Sequence, residues 1–182
     1  EADQPRIPVR IGKAVQDQIN AALEEVFHHP VKTVGAGRTD AGVHAKGQVF
    51  HFDKNWEHGE DSMVQAIRSH LPGGISPRKI RKVGPRFHAH LSARGKQYRY
   101  RVVKGWAMPQ EERFVLSLKK QKISTLGMEQ AAQFFLGEHD FSAFSASRGK
   151  DACENPLKHV WKVDLKARGD SLEFIIEGSG FL

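Results

Sequence analysis

Apolar residues recur at helical spacing between Ala14 and Phe27. There "AVQDQINAALEEVF" sets Val15, Ile19, Ala22, Leu23 and Val26 along one side and Glu and Gln along the other, which predicts an amphipathic helix. "GQVFHFD" changes the period to two, with Gln48, Phe50 and Phe52 facing one way and Val49 and His51 the other, as on a strand. A second helix is expected to start at Asp61 or Ser62 as N-cap and to carry Val64, Ile67 and Leu71 to the break at "PGG". "KQYRYRVVK" is a strand with Tyr98, Tyr100 and Val102 on one face and Arg99 and Arg101 on the other, whereas "AMPQEERFVLSLKKQK" reads as loop. A third helix follows from a Ser124 cap through Met128, Ala131, Ala132 and Phe135 to a stop at Gly137. "HVWKVDLKA" and "SLEFIIEG" then alternate around "RGDS", predicting a hairpin in which Trp161, Val163 and Leu165 pair across to Leu172, Phe174 and Ile176. The order helix, strand, helix, strand, helix, hairpin predicts an α+β fold with a largely antiparallel sheet flanked by helices. A compositional join near residues 88–96 divides it into an N-terminal half, 1–90, and a C-terminal half, 91–182.

Charge sharpens this picture. The net charge is +7, but it is not spread evenly. Between Asp61 and Glu111 there is no acidic residue and there are 11 basic ones, which leaves 17 of the 28 Lys and Arg elsewhere against 21 Asp and Glu. A basic middle in an otherwise mildly acidic chain predicts a surface for a polyanion, with nucleic acid ahead of a merely solvated basic face. No apolar run approaches the roughly 20 residues that span a bilayer, so no membrane partner is expected. The single cysteine, Cys153, excludes an intrachain disulfide and any CxxC metal site, and suits a reducing, intracellular compartment: cytoplasm, nucleus, mitochondrion or plastid. His88 and His90 flank one residue without a third ligand at metal spacing, so no metal is expected. "EADQPRIPVR" lacks an initiator Met and a signal-peptide pattern, and "EGSGFL" stops on an apolar pair, as in a processed or partial chain.

The candidate chemistry lies in "GAGRTDAGVHAKGQV", Gly35 to Val49. "TDAG" fits a β-turn in which Gly42 supplies the unusual φ. Ordinary turn chemistry accounts for Asp40, but not for Arg38 two residues earlier or for two further glycines at 35 and 37. The functional reading is a loop that presents Asp40 to a cleft with Arg38 beside it, the guanidinium favouring the ionised carboxylate. An ionised, positioned carboxylate acts as a nucleophile or stabilises an electron-poor carbon.

These residues carry a resemblance. "GAGRTDAGVHA-KGQV" is similar to the signature motif of the tRNA pseudouridine synthase A (TruA) family. "FHAHLSARGKQYRY" resembles the family's segment around its active-site tyrosine. "LGEHDFSAF", the later "NP" before a strand, and "SGFL" follow in the family's order, so the matches extend over most of the chain.

The resemblance implies the pseudouridine synthase fold, built of two ferredoxin-like halves, and an isomerase that converts uridine to pseudouridine in tRNA or another structured RNA. It implies that Asp40 is the essential carboxylate, attacking either the ribose C1′ or the base C6. Arg38 pairs with it and helps to hold the nucleotide flipped out, and Tyr98 stacks on the target base with a part in removing the C5 proton. Lys96 and Arg99 beside the tyrosine, with Arg94 and Arg86 in the same acid-free span, are expected RNA contacts, and His44 is motif framework. No cofactor is required, because the isomerisation involves neither redox change nor group donor; this agrees with a sequence that has no P-loop and no GxGxxG. The family pattern also includes a "YDG…GWQ" strand before the Ala14 helix and a basic residue after Leu182, and His90 stands where the family often has Arg. A homodimer with tRNA crossing both subunits is implied. The alternative is a catalytically inactive RNA-binding subunit of a ribonucleoprotein assembly.

Overall fold

A computed structural model describes residues 14–144 and 155–181; Cys153, the first ten residues and Leu182 of "SGFL" lie outside the described residues. The chain divides into two compact units, Glu1–Ala93 and Arg94–Leu182.

In the first unit, α1 (Val15–Phe27) forms where the helical spacing predicts it. The Asp17 carboxylate accepts the Ala14 N–H at its start (3.2 Å), and left-handed His28 ends it by donating its N–H to Glu24 O. Ile19, Ala22, Leu23 and Val26 form the inward stripe, but Val15, expected on it and first in the helix, is 58% exposed. That partner, α2 (Glu60–Ser69), contributes Met63 and Ile67, with Leu71 just after it. Leu23 and Ile67 are fully buried, each such side chain contributing roughly 1.5–3 kcal/mol. The N-cap of α2 is Gly59, not Asp61 or Ser62: its φ of 87° suits glycine and starts the helix earlier. Phe27, Phe52 and Trp56 close the core with edge-on ring contacts. Between the helices run two short antiparallel strands, β1 (Val34–Gly35) and β2 (Phe50–His51), so little of the predicted "GQVFHFD" strand is paired.

The second unit is a five-stranded sheet in the order β4-β3-β7-β6-β5. Its strands are β3 (Lys96–Val103), β4 (Leu116–Ser117), β5 (Gly137–Asp140), β6 (Leu157–Arg168) and β7 (Ser171–Gly178). All pairings are antiparallel except the short parallel one between β3 and β4, which falls inside the segment expected to be loop. Helix α3 (Thr125–Gln133) has the predicted cap, the Ser124 hydroxyl accepting the Gly127 N–H (3.0 Å). The helix stops at Gln133; Gly137, with φ 100°, instead opens β5. Ala132 packs on Val160, Val163 and Ile176, with Tyr98, Phe135, Phe174 and Phe181 around them.

The hairpin forms around the predicted turn, but two residues out of the expected register: Val163 faces Ile176, Leu165 faces Phe174 and Ala167 faces Leu172. Trp161 does not join that row. A β-bulge between Val160 and Lys162 leaves Trp161 as the extra residue, so Val160, only 2% exposed, takes the inward position and the indole turns out. The sheet face opposite Tyr98 carries ion pairs: Arg99 with Glu173 (3.2 Å), and Lys162 with Asp164 (3.4 Å) and Glu177 (3.6 Å).

These helices and sheets form an α+β fold. Among the described residues no helix is long and apolar enough to cross a membrane.

Candidate active site

The loop that carries Arg38 and Asp40 is built on a braced base. Thr33, immediately before β1, is a buried polar residue, and its N–H and hydroxyl both donate to Asn20 Oδ1 of α1 (3.0 and 2.7 Å). Gln16 donates to the Thr33 carbonyl (2.6 Å), so α1 fixes where β1 begins. The β1–β2 ladder continues through Ala36 N–H to Val49 O (2.8 Å), and Gln48 Nε2 donates to Gly37 O (2.9 Å). Asp40 then starts a turn closed by Val43 N–H to its own carbonyl (3.2 Å), with Gly42 at φ 84° in the third position. A positive φ there belongs to a type II turn and explains the glycine.

Two residues from the basic stretch hold this loop from outside. His90 Nδ1 donates to the Ala36 carbonyl (3.0 Å), and Arg78 donates to the Lys46 carbonyl (3.2 Å). The segment that brings His90 in is itself tied to β2, since His51 Nδ1 accepts the Ala89 N–H (3.1 Å) and the His51 ring rests against His88 with centroids 4.9 Å apart. Neither anchor was visible in the sequence: Arg78 is 32 residues from Lys46 and His90 is 54 from Ala36, and no local period marks them.

Arg38 and Asp40 are both exposed on the loop. The ion pair expected between them is not formed, and neither side chain makes a hydrogen bond among the described residues. In water such a pair gains little and costs side-chain freedom. Arg86, also exposed, sits within a turn closed by Phe87 N–H to Gly84 O.

In the second unit, Tyr98 stands half-buried on β3 with its ring edge-on to Phe181 (4.9 Å between centroids). Lys96 lies two residues before it. Arg99 points to the opposite face and is committed to Glu173. Arg94 and Lys96 line a cleft of about 310 Å³ with Gly95, Gln97, Trp161 and Glu177. There the Glu177 carboxyl is held below its ordinary pKa, first by the hydrogen bond from Gln97 (2.6 Å). The Lys162 ammonium is correspondingly raised, first by its bond to Asp164. Among the described residues no group of three or more His, Cys, Asp or Glu is arranged to hold a metal ion.

Relatives match most of the chain's length. The family model for tRNA pseudouridine synthase matches residues 131–182. A tRNA pseudouridine synthase A of Dechloromonas aromatica is 39% identical over 171 residues, 94% of this chain and 64% of the relative. That of Bordetella avium is 37% identical over 173 residues, again 94% and 64%. The chain thus spans about 64% of the length of these curated relatives. Over 68% of its length, the protein of the same name from an Exiguobacterium strain is 33% identical. The chain belongs to the tRNA pseudouridine synthase A family.

Proposed function

We propose that this chain isomerises uridine to pseudouridine in tRNA, with Asp40 as its essential carboxylate. The observation that carries the reading is a carboxylate standing exposed on a loop whose base is fixed by α1, β2, His90 and Arg78, within a chain whose relatives are named for that reaction. A fixed backbone with an uncommitted side chain suits a group that meets its substrate rather than one that stabilises the fold.

In this mechanism the target base leaves its stack, at a cost of a few kcal/mol, and stacks on the Tyr98 ring. Asp40 adds to the ribose C1′ or to the base C6. The bond from N1 to C1′ breaks, the base turns, C5 bonds to C1′, the bond to Asp40 breaks to return the free carboxylate, and the C5 proton leaves with the help of Tyr98 while N1 gains a proton. Arg38 neutralises charge beside Asp40 once substrate has excluded water. Lys96, Arg94 and Arg86 contact phosphates, and Arg99 supports β3 through its pair with Glu173. The two units are the two ferredoxin-like halves of the catalytic fold, and two copies of the chain form a homodimer across which tRNA lies.

The test uses tRNA transcripts carrying tritium at uridine C5. Tritium release that matches pseudouridine formed supports the isomerase. Tight tRNA binding with no release at any position is the result that would identify an RNA-binding subunit of a ribonucleoprotein instead.

A further inference from the structure

We propose that the cleft between the start of β3 and the end of β7 is a second RNA subsite, in which Trp161 stacks on an unpaired base of the same RNA away from the target and Arg94 and Lys96 hold its phosphates. The inference rests on the RNA-modifying function proposed above.

Trp161 is there because of the bulge. As the unpaired residue of β6 its side chain is turned out of the hydrophobic row, and it remains 46% exposed. It is nevertheless fixed: the indole Nε1 donates to Glu177 Oε2 (3.4 Å), and its benzo edge lies over Gly95. A Cβ at position 95 would stand 2.3 Å from Trp161 Cη2 and 2.8 Å from the Gly178 carbonyl oxygen, so only glycine leaves the ring that place. An aromatic face held rigid and half in water is what a stacking platform requires.

The charges beside it are selective. Of the nearby cations, Arg99 and Lys162 are committed to Glu173, Asp164 and Glu177, and Arg101 to Glu111. Arg94 and Lys96, which line the cleft, make no ion pair among the described residues. The one carboxylate in the cleft, Glu177, already accepts from Gln97 and Trp161 and faces Lys162, so it neither competes for those cations nor repels an incoming phosphate unopposed. Gln97 and Glu177 pair across the strands on the face opposite Tyr98. The base on Trp161 is therefore not the base on Tyr98 but one elsewhere on the same RNA.

The experiment measures binding of the whole chain to tRNA and to a short single-stranded RNA by fluorescence anisotropy, alongside tritium release. Trp161→Ala is expected to weaken single-strand binding about fivefold to a hundredfold. Trp161→Phe retains it within about threefold, and Arg94→Gln and Lys96→Gln each lower the salt slope by about 0.7 for a single strand. Circular dichroism confirms that each variant folds. Folded Trp161→Ala chain that binds like wild type overturns the subsite while tritium release by the wild type leaves the isomerase reading standing. Failure of the wild-type chain to bind any RNA overturns both.

Discussion

The polar anchor beneath the Asp40 loop offers a quantitative test. Asn20→Ala removes the one acceptor shared by the Thr33 N–H and hydroxyl, and Thr33 is only 4% exposed, so water does not replace it. Leaving a buried donor unpaired costs about 1–3 kcal/mol, and two donors are stranded here. Alanine returns up to about 0.7 kcal/mol as the better helix former inside α1. The net loss is about 1.3–5.3 kcal/mol, equivalent to a roughly tenfold to several-thousandfold shift in the opening equilibrium. Hydrogen exchange at Leu23 and Ala36 reads it, because neither amide bonds to Asn20 and the Ala36 bond to Val49 O is untouched. Both are expected to exchange faster by that factor. Asn20→Asp, which keeps an acceptor oxygen, restores most of the protection. If Asn20→Ala exchanges within threefold of wild type at both sites, the bracing of β1 by α1 is not what holds the loop.

Other consequences follow from the same structure. Ile67→Ala opens a cavity between α1 and α2 and is expected to lower the stability of the first unit by about 2–5 kcal/mol in urea titration. Gly95→Ala brings a Cβ against both Trp161 and the Gly178 carbonyl, so a loss of about 1–3 kcal/mol and a shifted Trp161 emission are expected. The Asp140 carboxyl accepts the Ser142 N–H (2.8 Å), and that bond is the first cause holding it below the ordinary Asp value. A depressed carboxyl contributes stability above its unfolded pKa and loses it as pH falls through the folded one. The Ser142 amide resonance should thus titrate with an acidic midpoint below that of a free Asp, and the transition should vanish in Asp140→Asn.

What the sequence disclosed and what it withheld divide along a physical line. Local periodicity predicted α1, the Ser124 cap of α3, the two faces of β3 and the turn between β6 and β7, because each depends on residues within a few positions of one another. "TDAG" likewise announced a turn through Gly42, although it closes one residue later, from Asp40 to Val43. Period-two reading failed at Trp161, since one inserted residue reverses every side chain before it and leaves no mark in the composition. It also extended "GQVFHFD" too far, because only Phe50 and His51 find a partner strand in β1. The Arg38–Asp40 pair was a proximity argument, and proximity along the chain did not bring two exposed side chains into contact. His90, Arg78, Asn20 and Gln16 hold the loop by contacts to distant backbone or buried polar groups, which no single stretch of sequence displays.

The most direct measurement compares Asp40→Asn with wild type in a single-turnover assay of pseudouridine formation in tRNA, with affinity measured in parallel. Asparagine preserves the size of the side chain and its place on a loop held by backbone contacts, and removes only the charge. The expected result is complete loss of isomerisation with tRNA affinity within about threefold, given that phosphate contacts supply most of the binding. An Asp40→Asn chain that still makes pseudouridine at a rate near the wild type's would contradict the account at its centre.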